Sequence, residues 1–288
     1  LKKLLFIAAI ILSMATGVVA QKGFKTTTTG LKYKFLFQGK GKKPQLNDVI
    51  TLGIIARNSK DSIIDNTYDK ARPLRFPLKG AAFKGALEEG FLLMGEGDSA
   101  VFLVKSDSLY DAKKGNPRPS FVAAGSMVQF TVKLDKVQSF EAFKKERHEH
   151  YLSQKEKDDK AITAYLNAKG LKSTKTASGL HCVTLTEGAG ITPLKGNNVV
   201  IHYTAKLLDR EKKFDSSYDK KIPFDFSLGW GLVIKGVDEG IANMKEGEKR
   251  LLLIPSYLAY GEKGQKDIVP ADAPVLYEVE LLKVTNDK

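Results

Sequence analysis

The chain has 288 residues, 42% hydrophobic and 27% charged, enough for two globular domains with real cores and unlike a disordered or fibrous chain. Its formal net charge of +13 is diluted by interspersed acids, with no dense basic run. It therefore reads as solvated lysine-rich faces and argues against nucleic acid as a partner. The only cysteine, Cys182, excludes an intramolecular disulfide.

Residues 1–20 read as a signal peptide. Lys2 and Lys3 precede an apolar run from Leu4 to Leu12, and Val18-Val19-Ala20 ends the segment in small residues. Cleavage after Ala20 is expected, giving an exported, periplasmic protein; cell-surface association or an uncleaved N-terminal anchor are the alternatives. No cysteine stands at the cleavage position for lipid attachment, and no later stretch is an integral membrane segment.

Beyond this segment the chain repeats itself at roughly 150 residues. Thr29-Gly30-Leu31 echoes Ser178-Gly179-Leu180, and Asp65, Tyr68 and Pro73 echo Asp215, Tyr218 and Pro223. Gly85, Gly90, Met94 and Gly97 echo Gly236, Gly240, Met244 and Gly247, and Tyr110 echoes Tyr260. One fold used twice is expected, over 27–138 and 172–288. Residues 139–171 differ: they are dense in Glu, Lys and Arg, lack Gly and Pro until Gly170, and predict a charged helical linker. Ser153 to Lys160 offers no apolar face, which suits a helix bridging through solvent, with Ile162, Tyr165 and Leu166 able to dock one end. A homodimer built on this helix is the weaker reading, because the apolar stripe is broken.

In the second copy, Val199 to Leu207 and Arg250 to Ile254 are β-rich runs, and Val275 to Leu282 alternates as a half-buried strand. Ile234, Val237, Ile241 and Met244 recur at spacings of three and four, predicting one short amphipathic helix. A short helix against an antiparallel sheet is α+β. His148 and His150 lie two apart on the predicted linker helix and face different ways, so no metal site is expected there. Cys182, beside His181 on a strand without a visible acidic partner, reads as an inert half-buried thiol. No cofactor motif appears.

The second copy carries His-Tyr-Thr at 202–204, Phe-Asp-Ser-Ser at 214–217, Pro-Phe-Asp-Phe at 223–226, Gly-Leu-Val-Ile-Lys-Gly at 231–236 and Leu-Ala-Tyr-Gly at 258–261. In this order and spacing the block resembles an FKBP-type peptidyl-prolyl cis-trans isomerase domain. The resemblance implies two FKBP-like domains, each a twisted antiparallel sheet wrapped around a short helix. It also implies an aromatic slot for a prolyl ring, with Tyr203, Phe214 and Phe224 as walls. Asp215 is then the carboxylate that holds neighbouring side chains, and Val233 and Ile234 form the rim, the second offering its backbone N–H to a substrate carbonyl. Tyr260 donates its hydroxyl to the bound chain, and Val269 and Tyr277 complete the lining. Val237 stands where the family usually has a floor tryptophan, which puts rate and macrolide affinity in question.

The implied activity is isomerisation of X-Pro bonds in unfolded or partly folded exported proteins, with macrolide inhibitors as potential ligands. A non-catalytic holdase or assembly module that binds extended proline-containing segments is the rival. Where the second copy has Tyr203, Phe214, Phe224 and Val237, the first has Gly53, Ile64, Leu74 and Ala86. A family-like fold with little or no isomerase activity is expected there.

Overall fold

The structure, a computed structural model, describes residues 23–68 and 73–285. The segment read as a signal peptide lies outside them. The chain divides after Lys145 into two compact units.

The first unit is built on a seven-stranded sheet from β1 (Lys25–Thr26), β2 (Lys32–Phe37), β3 (Val49–Arg57), β4 (Ile63–Asn66), β5 (Leu74–Pro77), β6 (Ser99–Lys105) and β7 (Met127–Gln138). The order is β1-β2-β6-β7-β3-β4, with β5 also on β3, and the pairings are antiparallel. Helix α1 (Leu87–Leu93) contributes Phe91 to a core with Ile50, Leu52, Phe102 and Leu134, and a one-turn helix α2 (Ser106–Leu109) follows β6.

The second unit repeats the plan. Its strands are β8 (Thr174–Lys175), β9 (His181–Thr186), β10 (Asn198–Leu207), β11 (Lys213–Ser216), β12 (Phe224–Ser227), β13 (Lys249–Ile254) and β14 (Val275–Thr285), ordered β11-β10-β14-β13-β9-β8 with β12 on β10. A short helix α4 (Ser217–Lys220) follows β11, and α5 (Lys235–Ala242) precedes β13. The expected helix is present, although Met244 lies beyond its end and packs in the core from the turn that follows. Period-2 alternation divides β13 between two layers. Leu252 and Ile254 join the core of Val237 and Ile241, whereas Leu251 and Leu253 face a second cluster on the other side. Gly240 lets α5 sit close on the sheet, since a Cβ there would lie 2.5 Å from Leu252 Cδ1.

Ile162 and Leu166 dock in that second cluster with Tyr165 packed against it, as expected; the departure from the sequence reading lies in the rest of the helix. Helix α3 (Phe140–Lys169) forms, but from Glu146 onward it belongs to the second unit rather than to a separate linker. Ile162 and Leu166 are 0% and 6% exposed against Val183, Leu251, Leu253 and Leu276. The stretch from Ser153 to Lys160, read as solvent-bridging, holds Asp158 at 1% exposure. The docked face is polar rather than apolar there, so a search for an apolar stripe passes over it.

Strand register also corrects two equivalences between the copies. On the paired strands, Leu52↔Leu134 and Gly53↔Lys133 stand after the same bulge as Ile201↔Leu281 and His202↔Glu280. Gly53 thus matches His202, and Ile54 matches Tyr203. Two hydrogen bonds agree: the Ile54 N–H donates to Thr67 Oγ1 at 2.9 Å, and the Tyr203 N–H to Ser217 Oγ at 2.8 Å. The following tyrosine covers the preceding residue in each. Tyr218 stacks on His202 at 4.3 Å between centroids, while the Tyr68 ring fills the space a Cβ on Gly53 would need. On the helices, Thr29 reaches Glu89 as Ser178 reaches Glu239, so Leu87 rather than Ala86 stands at the position of Val237.

Candidate active site

An apolar cleft of about 360 Å³ opens beside α5 in the second unit, lined by side chains including Ile201, Tyr203, Phe224, Leu232, Val237 and Tyr277. Its size falls in the range of small-ligand sites. Val233, Ile234, Tyr260 and Gly231 complete the lining. Seven of the ten residues expected to form the site therefore share one cavity wall: Tyr203, Phe224, Val233, Ile234, Val237, Tyr260 and Tyr277.

The other three stand behind it. Phe214 on β11 packs edge-on to both Tyr260 and Tyr277, at 6.2 Å between centroids in each case. Asp215 accepts the Tyr203 hydroxyl on Oδ2 at 2.7 Å, and its Oδ1 meets Lys220 Nζ at 2.6 Å and the Ser216 N–H at 2.9 Å. Val269 is 3% exposed and packs in the core cluster, outside the cleft lining. Its placement as a lining residue is corrected accordingly: it is a core residue that does not border the cleft.

The local sequence explains each placement. Tyr203 and Ile201 lie two apart on β10 and so share a face. Phe224 opens β12, opposite Ile201, and meets Tyr203 edge-on at 6.1 Å. Ser216 caps α4 by accepting from the Asp219 N–H, and Lys221 ends that turn in the left-handed region at φ 56°, bringing Lys220 back over Asp215. Gly229 and Gly231, at φ 78° and 68°, bracket Trp230 at the tip of the turn before α5. The Gly229 N–H donates to Asp238 Oδ1 at 2.8 Å, tying that turn to the helix. Ile234 is extended at the helix N-cap, and its carbonyl accepts from Val237 and Asp238. Its own N–H, three positions before Val237, the first residue to donate within the helix, has no intrahelical acceptor.

Polar groups at the wall are fixed rather than free. The Tyr260 and Tyr277 hydroxyls are 3.0 Å apart, and the Tyr277 and Tyr203 rings stack at 5.9 Å. Burial pushes the Tyr277 and Tyr260 phenols up, and burial together with the Asp215 carboxylate pushes Tyr203 up to about 12. All three remain neutral hydrogen-bonding groups at ordinary pH. For Asp215, burial alone pushes upward, but the hydrogen bonds from Lys220 and Tyr203 prevail and hold the carboxyl below its usual range. The site thus offers an apolar slot with fixed hydroxyls and no side chain set up as a nucleophile.

Sequence reasoning missed Ile201, Gly231 and Leu232. Ile201 was accessible from the period-2 rule once Tyr203 had been placed; Leu232 sits in a glycine-bracketed turn, where periodicity gives no direction. Trp230 is 69% exposed beside that turn and occupies no floor position. Among the described residues no group of three or more His, Cys, Asp or Glu is arranged to hold a metal ion, and no helix is long and apolar enough to cross a membrane.

The model of the family described as FKBP-type peptidyl-prolyl cis-trans isomerase matches residues 40–135 and 190–282, more than half of the chain. The FK506-binding protein of Neisseria meningitidis serogroup B is 48% identical over 106 residues, spanning 37% of this chain and 96% of that protein. The peptidyl-prolyl cis-trans isomerase FPR2 of Saccharomyces cerevisiae is 49% identical over 94 residues, spanning 33% of this chain and 70% of that protein. The human peptidyl-prolyl cis-trans isomerase FKBP2 is 53% identical over 90 residues, spanning 31% of this chain and 63% of that protein. Because the match covers both halves in the order in which the two sheets occur, and not the cleft alone, the whole tandem chain belongs to the FKBP-type peptidyl-prolyl cis-trans isomerase family.

Proposed function

We propose that the cleft of the second unit isomerises X-Pro bonds in unfolded or partly folded exported proteins, and that the first unit contributes little or no catalysis. Rotation about a prolyl amide makes and breaks no covalent bond. The barrier of about 18–20 kcal/mol is lost resonance, and uncatalysed exchange takes tens of seconds or more. A planar amide is strongly polar and well hydrated, whereas the twisted form has given up that resonance. A water-poor slot therefore favours the twisted form relative to the planar one.

The observation that carries this reading is an open apolar cavity of about 360 Å³ walled by Tyr203, Phe224, Val237 and Tyr277, with neutral hydroxyls held at its edge. In this reading the Ile234 N–H binds a substrate carbonyl and the Tyr260 hydroxyl donates to the bound chain. Relatives that carry FK506 binding in their names support a macrolide as a competitive ligand of the same cleft. The matched positions in the first unit support the contrast, since Ile54 and Leu74 replace the walls Tyr203 and Phe224, and Ile64 replaces Phe214 behind them. The charged and apolar pattern of residues 1–20 supports export.

Phe224→Ala in the full chain tests the assignment. Its kcat/KM on a prolyl tetrapeptide is expected to fall at least about tenfold, each tenfold corresponding to about 1.4 kcal/mol of barrier. An unchanged value overturns the reading. A holdase role for the first unit draws on its exposed Leu36, Phe37, Leu46 and Phe121, each more than half exposed. Suppression of client aggregation that survives Phe224→Ala assigns that activity to a surface outside the cleft, and its loss on removing the first unit would place it there.

A further inference from the structure

Helix α3 turns a polar face toward the segment that carries Tyr260. Arg147, His150, Tyr151, Gln154 and Asp158 follow one another at helical spacings and meet the stretch from Ser256 to Asp272. Arg147 Nη1 lies 2.6 Å from Glu262 Oε2, and His150 Nε2 lies 3.1 Å from Asp272 Oδ2. Tyr151 packs edge-on to Tyr257 at 5.3 Å. Gln154 Nε2 donates to the Asp272 carbonyl at 3.1 Å and to Asp158 Oδ1 at 2.6 Å. Asp158 Oδ2 accepts both the backbone N–H and the hydroxyl of Ser256, each at 2.7 Å.

These contacts differ in weight. The Arg147 and His150 pairs are exposed and contribute little. Asp158 and Ser256 are each 1% exposed, so their hydrogen bonds form in a water-poor setting where the alternative is an unpaired buried group. The segment they hold has little regular structure of its own: two single 3-10 turns, Ser256–Leu258 and Gly261–Lys263, and one isolated bridge from Gln265 to Val269. Tyr260 lies between those turns, four residues after Ser256, with its hydroxyl 3.0 Å from that of Tyr277 at the cleft. The anchor at the start of the segment is thus supplied by a helix outside the sheet.

We propose that Asp158 is a positioning residue for isomerisation: by clamping Ser256 from α3 it sets where Tyr260 stands at the cleft. The proposal rests on the reading of that cleft as the catalytic site. A small displacement of a group that must meet the reacting chain lowers rate steeply, by up to about a hundredfold for 1 Å. Tyr260 is tethered through four residues, so a milder loss of about tenfold is expected for Asp158→Ala.

The test compares full chains carrying Asp158→Ala, Asp158→Asn, Tyr260→Phe, and Asp158→Ala with Tyr260→Phe. Each is assayed on a prolyl tetrapeptide well below its thermal midpoint, with thermal unfolding followed in parallel. Asp158→Ala and Tyr260→Phe are each expected to lower kcat/KM, and the double variant no further than the worse of the two, because both act through one loop. Asparagine retains an oxygen able to accept from Ser256 and is expected to recover most of the rate.

Losses that multiply in the double variant overturn the proposal. So does an Asp158→Ala protein that is less heat-stable yet isomerises at the parent rate while Tyr260→Phe does not. If Tyr260→Phe alone leaves the rate unchanged, the cleft reading fails and the proposal falls with it. Should Asp158→Ala not fold, Ser256→Ala removes only the hydroxyl bond. An expected loss of about threefold that vanishes in the Tyr260→Phe background then decides, and a parent-like rate overturns.

Discussion

Replacing Asp215 by alanine removes the acceptor of the Tyr203 hydroxyl at 2.7 Å and the partner of Lys220 at 2.6 Å. A hydrogen bond to a charged group is worth about 1.5–3 kcal/mol. The lower end applies, because 36% of the Asp215 side chain and 60% of Lys220 are exposed and water screens the pair. About 1.5 kcal/mol, felt where Tyr203 stacks on Tyr277, corresponds to roughly a tenfold fall in kcat/KM. At about 2–4 °C per kcal/mol, the midpoint of thermal unfolding falls by about 3–6 °C. Asp215→Asn keeps a neutral acceptor for Tyr203 and should lose only about threefold. The Asp215 carboxyl is depressed in the folded state, so its stabilisation is complete above the ordinary carboxylate value and disappears as pH falls through the folded one. Between pH 5 and 8 the group stays ionised and contributes no slope to the rate. The assay is protease-coupled isomerisation of a prolyl tetrapeptide at several pH values. An Asp215→Ala rate within twofold of the parent, in a folded protein, refutes the claim that this carboxylate holds the wall.

Three further outcomes are expected. A fragment of residues 146–288 should unfold at a markedly higher temperature than 172–288, since the shorter one loses Ile162 and Leu166, whose burial is worth about 1.5–3 kcal/mol each; equal midpoints contradict the docked helix. His181 is buried beside Ser173 on one side and Asp159, which also pairs with Lys175, on the other, and burial lowers its pKa. The unfolded chain takes up that proton first, so stability is complete above about pH 6.5 and falls below it; in His181→Gln the decline between pH 6.5 and 5 should flatten, as measured by denaturant midpoints. Trp230, the chain's single tryptophan, is exposed next to the cleft-lining Gly231 and Leu232, so a bound prolyl peptide should shift or quench its emission; a titration without change, under conditions where calorimetry detects binding, contradicts its placement.

The α+β class and the repeat were legible because they rest on local signals: alternation along β10 and β14, three-and-four spacing along α5, and motifs whose order is unaffected by packing; the aromatic walls came only from the family resemblance. What escaped depended on partners distant in sequence. Asp158 looks like one more charge on a charged helix until Ser256, 98 residues away, is seen to bond it twice. The repeat sets Gly53 opposite Tyr203, whereas the bulge registers of β3 on β7 and of β10 on β14 move the match to Ile54. Val269 and Val237 are equally buried, yet only Val237 borders the cleft, a difference of packing that the sequence does not encode.

The preserved register of the first sheet has a consequence for reading tandem chains of this kind. Strand pairings, bulges and the tyrosine lid over Gly53 all survive there, while the rings that would grip a ligand do not. A sheet can thus keep its pairings and its bulges after the side chains on one face have changed character, so a repeated scaffold need not mean a repeated pocket.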